Sequence, residues 1–359
     1  MNHKKNLIVL TICLLFLSIS FWGINSSKAQ QIPSAPSVSP TPPDEIPEVD
    51  DEIIKIDTEV VNVLFTAQDR KRRLLTTLQQ GDIKLIENGQ EQEIVAFSRK
   101  VDLPLSLTIL IDTSASQERT LPEEKDAAKS FLESVVRPTQ DEVAIVSFTG
   151  EATLEQGMTS NIARLRRAID RVQFVPPSGY IGGGVVAGTP PISGGNQATA
   201  GSTAIWDAVW ITSEEILGPS PDKTRRAIIL LTDGVNTYGK KKIKDAVEAA
   251  IKSEAVIYSI GIGDNYYSGV DKGALNKLSE NTGGRAFFPR DERELRVAFE
   301  QIQEEMRSQY LIAYEPIDQK RDGSYRTIDI RLKNPQLAKE KVTLTHREGY
   351  FAKTDKKDK

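Results

Sequence analysis

The sequence predicts an α/β protein: a doubly wound, mainly parallel sheet, with a small β-sandwich-like unit formed by the segments before and after it. Three observations predict this. The runs 105–111 (LSLTILI) and 227–231 (AIILL) are apolar with little alternation, as strands covered on both faces are. Between 105 and 309 such runs alternate with amphipathic helical stretches, the rhythm of a parallel sheet with helices on each face. On both flanks, shorter β patterns with turn signals return.

Taken in order, Lys4 and Lys5 precede an apolar run from Leu7 to Trp22, and Ser27-Lys28-Ala29 places small residues where a signal peptidase reads. Residues 1–29 are therefore expected to be a signal peptide, cleaved after Ala29, with export to the periplasm, the cell envelope or the medium and no membrane span left after cleavage. The only cysteine, Cys13, lies inside the apolar run and suits neither a lipid-anchored cleavage site nor a disulfide. Residues 30–52 are rich in Pro, Ser and acids with little to bury, and read as a disordered linker. Segment 53–100 supplies the first part of the β unit, with strands over 60–67, 83–87 and 90–97. Asn88-Gly89, between the last two, is a strong signal for a two-residue hairpin turn.

Segment 101–309 is the α/β domain. Its strands are expected over 105–111, 143–148, 227–232, 256–262 and 285–288. Its helices are expected over 122–136, 162–172, 203–217, 243–253, 272–280 and 292–309. Segment 175–202 interrupts the rhythm with Gly182-Gly183-Gly184, Gly194-Gly195 and four prolines, and is expected to be a flexible insertion. Strands over 310–314, 325–333 and 341–346 lie in segment 310–352, which completes the β unit; 353–359 is a charged tail.

The charge balance limits the partners. Losing residues 1–29 removes three lysines and no acid, so Lys and Arg fall from 46 to 43 against 50 Asp and Glu, a net charge of −7. A chain of mildly acidic net charge lacks the electrostatic footprint of a nucleic-acid binder.

The chemistry-bearing residues sit at strand ends. The first α/β strand runs into Asp112-Thr113-Ser114-Ala115-Ser116, a later one into Thr232-Asp233-Gly234, and Gly201-Ser202-Thr203 opens a helix between them. In an open parallel sheet these carboxyl ends meet at the crevice where strand order reverses. Two carboxylates, with hydroxyls and water, make an all-oxygen shell suited to a hard divalent cation: Mg²⁺, Mn²⁺ or Ca²⁺.

In these residues the chain resembles the von Willebrand factor type A family, whose metal-ion-dependent adhesion site reads Asp-x-Ser-x-Ser, then Thr, then Asp. Asp112, Ser114, Ser116, Thr203 and Asp233 match in order. The segments 141–148 and 204–208 are similar to the family as well. From about 60 to 352 the chain resembles the related domain described from Acidobacteria, including Glu87-Asn88-Gly89 and the closing 347–351. The resemblance implies a Rossmann-like domain, metal contacts from the hydroxyls of Ser114, Ser116 and Thr203, and direct or water-mediated ones from Asp112 and Asp233. It also implies a protein partner that offers a carboxylate to the ion.

Other candidates carry less. Asp207 and Asp264 could stand behind the ligands, although Asp on an opening helical turn usually caps or is solvated. Tyr238, Tyr266 and Tyr267 are placed on loops at the same edge; Lys240-Lys241-Lys242 reads as a solvated helix start, and Trp206 with Trp210 as core. An enzyme has poor material here. After signal removal His346 is the only histidine, far in sequence from the carboxylates, and no Gly-x-Ser-x-Gly elbow occurs. The expected function is cation-dependent protein binding. The alternatives are a structural envelope protein whose β unit makes the contacts and a metal-assisted hydrolase.

Overall fold

The computed structural model describes residues 60–99, 103–176, 180–181, 184–185, 201–221, 223–263 and 269–354. The expected signal peptide and linker, most of the glycine-rich insertion, Asp264, Tyr266, Tyr267 and residues 355–359 lie outside the described residues.

The chain begins with β1 (Val61–Gln68), β2 (Ile83–Glu87), β3 (Gln90–Gln92) and β4 (Ile94–Arg99). Asn88 and Gly89 both take positive φ, 47° and 83°, and Glu87 pairs with Gln90 across them, so the Asn-Gly pair closes the two-residue hairpin. The expected strand over 90–97 is two strands. Gln90–Gln92 stays with β2, whereas Ile94–Arg99 pairs with a strand of another sheet.

The α/β region follows as β5 (Leu105–Asp112), α1 (Leu121–Val135), β6 (Glu142–Phe148), β7 (Ala152–Thr159) and α2 (Ile162–Arg171). After the two-residue strands β8 (Tyr180–Ile181) and β9 (Gly184–Val185) come α3 (Ile205–Ile211) and its π-helical continuation Thr212–Leu217, then β10 (Arg225–Thr232) and α4 (Ile243–Lys252). β11 (Ala255–Gly261), α5 (Lys272–Asn281), β12 (Ala286–Phe287) and α6 (Glu292–Arg307) complete it. The six strands lie in the order β12-β11-β10-β5-β6-β7, all parallel except β7. β5 sits between β6 and β10, so the strand order reverses beside it and a crevice opens at the carboxyl ends of β5 and β10.

Successive residues of a strand face opposite sides, and here each side has its own core. Leu105, Leu107, Ile109 and Ile111 of β5 pack with Ile229 and Leu231 of β10 against α1, α2 and α6. Leu110, Ile228 and Leu230 pack on the other side against α3, α4 and α5. The uninterrupted apolar runs follow from this, because neither face meets water.

β7 was not expected. Its residues (ATLEQGMT) are mostly half-exposed or exposed on the sheet edge, so they carry no apolar signature. The helix expected from residue 203 starts at Ile205, since Thr203 and Ala204 are still spent on loop hydrogen bonds.

The chain then returns to β structure: β13 (Tyr310–Tyr314), β14 (Tyr325–Leu332), α7 (Pro335–Lys339), β15 (Thr343–His346) and β16 (Gly349–Phe351). Two antiparallel four-stranded sheets result, β15-β1-β13-β4 and β16-β14-β2-β3, and each mixes strands from before and after the α/β region. Val63, Phe65, Leu85, Ile312, Tyr314 and Ile330 are among the residues of a core of their own. The β unit abuts the amino-terminal edge of the parallel sheet. Across that joint Glu305 of α6 accepts from Gln68 of β1 (2.8 Å) and pairs with Arg285 (2.6 Å). Among the described residues no helix is long and apolar enough to cross a membrane.

Candidate metal centre

The site is built where β5 and β10 end. Asp112 is the last residue of β5 and is fully buried. Its Oδ1 accepts the Ser114 backbone N–H (2.9 Å) and its Oδ2 accepts the Thr232 hydroxyl (2.6 Å), which ties the two strand ends together. The backbone then turns sharply enough to set the Ser114 and Ser116 hydroxyls 3.3 Å apart. Ser116 also stands near the Asp233 carboxylate, whose pKa it lowers, and Asp233 Oδ1 accepts the Val235 N–H at 2.9 Å. Four of the five expected residues are thus connected side by side.

Thr203 arrives differently. Among the described residues no hydrogen bond joins its hydroxyl to the other four. Its backbone is fixed to the loop that follows Asp233: the Thr203 N–H donates to the Thr237 hydroxyl (2.8 Å), and its carbonyl accepts the N–H groups of Thr237 (2.9 Å) and Tyr238 (3.0 Å). Ala204 N–H bonds the carbonyl of Thr149, just beyond β6.

Asp207 closes the same clasp. Its two oxygens accept the N–H groups of Lys240 (3.1 Å) and Lys241 (3.0 Å). Gly239, at φ +113°, passes so close that a Cβ there would lie 2.1 Å from Asp207 Oδ2. Asp207 therefore holds the Thr203 helix to the Asp233 loop, a role its sequence position did not reveal. Lys241 lies over the Trp210 ring at 3.6 Å rather than free in solvent, and Lys242 caps α4. Trp206 is core, as expected, while Tyr238 is exposed beside the clasp.

Gln117, fully buried, is a further residue that the sequence did not single out. Its Nε2 donates to Ser116 Oγ (3.4 Å) and to the Ile262 carbonyl (3.2 Å), and its Oε1 accepts the Thr120 hydroxyl (2.9 Å). Residues 117–120 form the short link between strand and helix, where an amide side chain reads only as a polar surface group.

The electrostatics are one-sided. Burial pushes the Asp112 carboxyl up to about 7, against hydrogen bonds from Ser114 and Thr232, and the nearby Asp233 raises it further. Burial also raises Asp233, opposed by Ser116 and the Val235 N–H. No basic side chain pairs with either acid among the described residues. Buried carboxylates without a counter-charge are costly, and a divalent cation surrounded by oxygen donors is the group that would relieve that cost. No cluster of three or more His, Cys, Asp or Glu side chains suited to a metal occurs among the described residues, so any ion held here depends on hydroxyl and water oxygens beside the two acids. The residues fit a hard cation and offer nothing to a soft one.

Two family models described as von Willebrand factor type A domain match residues 107–236 and 192–304, which together span nearly the whole α/β region and all five residues. No curated protein matches the chain. Among solved structures, the conserved hypothetical protein BatB from Bacteroides thetaiotaomicron is 17% identical, with 57% of this chain and 100% of that one covered and a TM-score of 0.43. Proximal thread matrix protein 1 from the mussel byssus is 22% identical over 62% of this chain, with a TM-score of 0.44. A form of that protein described with a zinc-occupied MIDAS motif is 16% identical over 58% of this chain, with a TM-score of 0.43. The chain spans about half the length of the mussel protein. Strand order, the residues gathered at the crevice and both family matches agree, and this chain is a von Willebrand factor type A domain protein.

Proposed function

We propose that this protein is an exported module that binds another protein through a divalent cation held by Asp112, Ser114, Ser116, Thr203 and Asp233. The observation that carries the reading is the pairing of two buried acids, each without a basic partner, with two serine hydroxyls facing each other at 3.3 Å. Asp112 and Asp233 match the charge of one divalent ion, most simply Mg²⁺, with Mn²⁺ or Ca²⁺ as the other hard candidates. Ser114, Ser116 and Thr203 add neutral oxygens that orient without further charge. Bound there, such an ion would supply an open position for a carboxylate of the partner. Export rests on the charged start, apolar run and small-residue site of residues 1–29.

The hydrolase alternative is disfavoured by the place of His346. Its Nε2 accepts the Ile330 N–H (3.2 Å) and its Nδ1 is bonded to the Arg347 carbonyl (2.8 Å), so the ring is spent inside the β unit.

Calorimetric titration of the mature chain with Mg²⁺, Mn²⁺ and Ca²⁺ tests the site. Asp112→Asn and Asp233→Asn should each remove cation binding while far-ultraviolet circular dichroism stays unchanged; Ser114→Ala and Ser116→Ala should weaken it less. Capture of a partner from envelope extract should then fail in chelator and with Asp112→Asn. Equal capture in all conditions would refute the reading.

A further inference from the structure

Six acids are buried among the described residues: Glu87, Asp112, Glu124, Asp141, Asp233 and Glu305. They divide into two groups. Asp141 is held by Arg137 at 2.8 Å, Glu305 by Arg285 at 2.6 Å, and Glu87 by Arg326 at 3.6 Å together with the hydroxyls of Tyr314 and Tyr350. Asp112, Asp233 and Glu124 have no basic partner. The first two belong to the candidate metal centre, and Glu124 completes the unpaired set.

Glu124 lies in the first turn of α1, fully buried, and no donor reaches either carboxyl oxygen at hydrogen-bonding distance. The nearest hydroxyl, Thr120, donates to Gln117 Oε1, and Gln117 donates to Ser116. A hydrogen-bonded chain therefore runs from Ser116 through Gln117 to Thr120, and Glu124 meets it only through its backbone N–H, which donates to the Thr120 carbonyl at 3.1 Å. Burial pushes its carboxyl up to about 8, and the charges of Asp112 and Asp233 add to that. Glu124 also lines a cavity of about 230 Å³ with Ile262 and Gly263, just past the carboxyl end of β11. The two basic residues on that cavity are engaged elsewhere. The Lys272 ammonium lies 5.3 Å over the Phe288 ring, and Arg290 is paired with Glu294 at 2.9 Å.

A buried acid with no donor is rare in folded proteins and calls for a cause. Helix packing does not supply one, since an apolar or amide side chain of similar size would fill the same space at lower cost. The three unpaired acids share one neighbourhood, since Gly263 on the Glu124 cavity lies against Asp233, and a cation that neutralises Asp112 and Asp233 removes the repulsion that these two exert on Glu124. We propose that Glu124 is a third acid of the cation site, one that does not touch the ion but whose burial the ion's charge makes less costly. The proposal rests on the cation reading above.

The test compares the full mature chain with Glu124→Gln and, in case that variant folds poorly, with the apolar Glu124→Met. Each is titrated with Mg²⁺ and Mn²⁺ by calorimetry and melted in chelator. Cation affinity should fall about tenfold, the lower end of what groups behind metal ligands contribute, while the melting temperature in chelator stays level or rises. Glu124→Asp should recover part of the affinity. Unchanged affinity in both Glu124 variants, with Asp112→Asn still abolishing binding, overturns the role of Glu124 and leaves the site standing. A lower melting temperature in chelator with unchanged affinity makes Glu124 a structural residue only. If the wild-type chain takes up no cation, the site reading and this proposal fall together.

Discussion

His346 shows how a single half-buried group can set a pH limit. A backbone N–H can only donate and a carbonyl can only accept, so the bonds to Ile330 and Arg347 fix the ring as the neutral tautomer with its proton on Nδ1. Burial lowers its pKa below the ordinary 6.5, although the Arg347 carbonyl, Asp329 and Glu348 pull the other way. A group whose folded pKa is depressed favours the folded state above its unfolded pKa. That contribution is lost as pH falls from about 6.5 through the folded value. Denaturant melts of wild type should therefore lose stability across this window, and His346→Gln should flatten that slope; an unchanged slope would show that the ring does not titrate with unfolding. At this scale the five candidate residues could be named because Asp112, Ser114, Ser116 and Asp233 stand at or just beyond the ends of apolar strands, and Thr203 stands just before a helix. Glu124 was not legible. Within LPEEKDAAKSF an acid on a helix reads as solvated, and only the fold shows it buried on a cavity it shares with the end of β11.

Among the elements, the clasp between the Thr203 helix and the Asp233 loop is the most exposed to test. Asp207→Ala removes the acceptors of two backbone N–H groups, and Gly239→Ala forces a methyl against Asp207 at a φ that disfavours side chains. Both should lower stability by about 1 to 3 kcal/mol and weaken Mg²⁺ binding about tenfold, measured by chemical denaturation and calorimetry on the same preparations. Affinity that survives the loss of the clasp would mean Thr203 is placed by β6 and the Thr149 contact alone. The elements that sequence periodicity located correctly are those with two covered faces or one clean apolar stripe. Edge strand β7 escaped because it has no covered face to mark it, and the break at Glu93 escaped because residues 90–97 carry no turn residue where the pairing partner changes.

At the scale of the molecule, Glu305, Arg285 and Gln68 join the α/β region to the β unit through buried polar groups. Glu305→Ala would leave the half-buried Arg285 guanidinium without its acid and should cost about 1 to 3 kcal/mol. Calorimetric unfolding should show one transition in wild type; a variant that melts no lower would show that the joint is held by apolar contact instead. The nested arrangement was legible from two features, β patterns on both flanks and an α/β rhythm between them. The pairing was not, because strand partners so far apart in sequence leave no local trace. That pairing also governs the order of assembly. Val61 is in register with Tyr314, and Phe65 with both Tyr310 and His346, so β1 lies between two strands made only after the entire α/β region. The first strand of the fold has nothing to pair with until some 240 residues later, and closing so long a loop is slow. During synthesis, the α/β region can collapse on its own local contacts while β1 and β2 wait with open edges. The last kinetic event is then their capture by β13, β14 and β15, and this interval is when the protein is most vulnerable to proteases and to pairing with a neighbour.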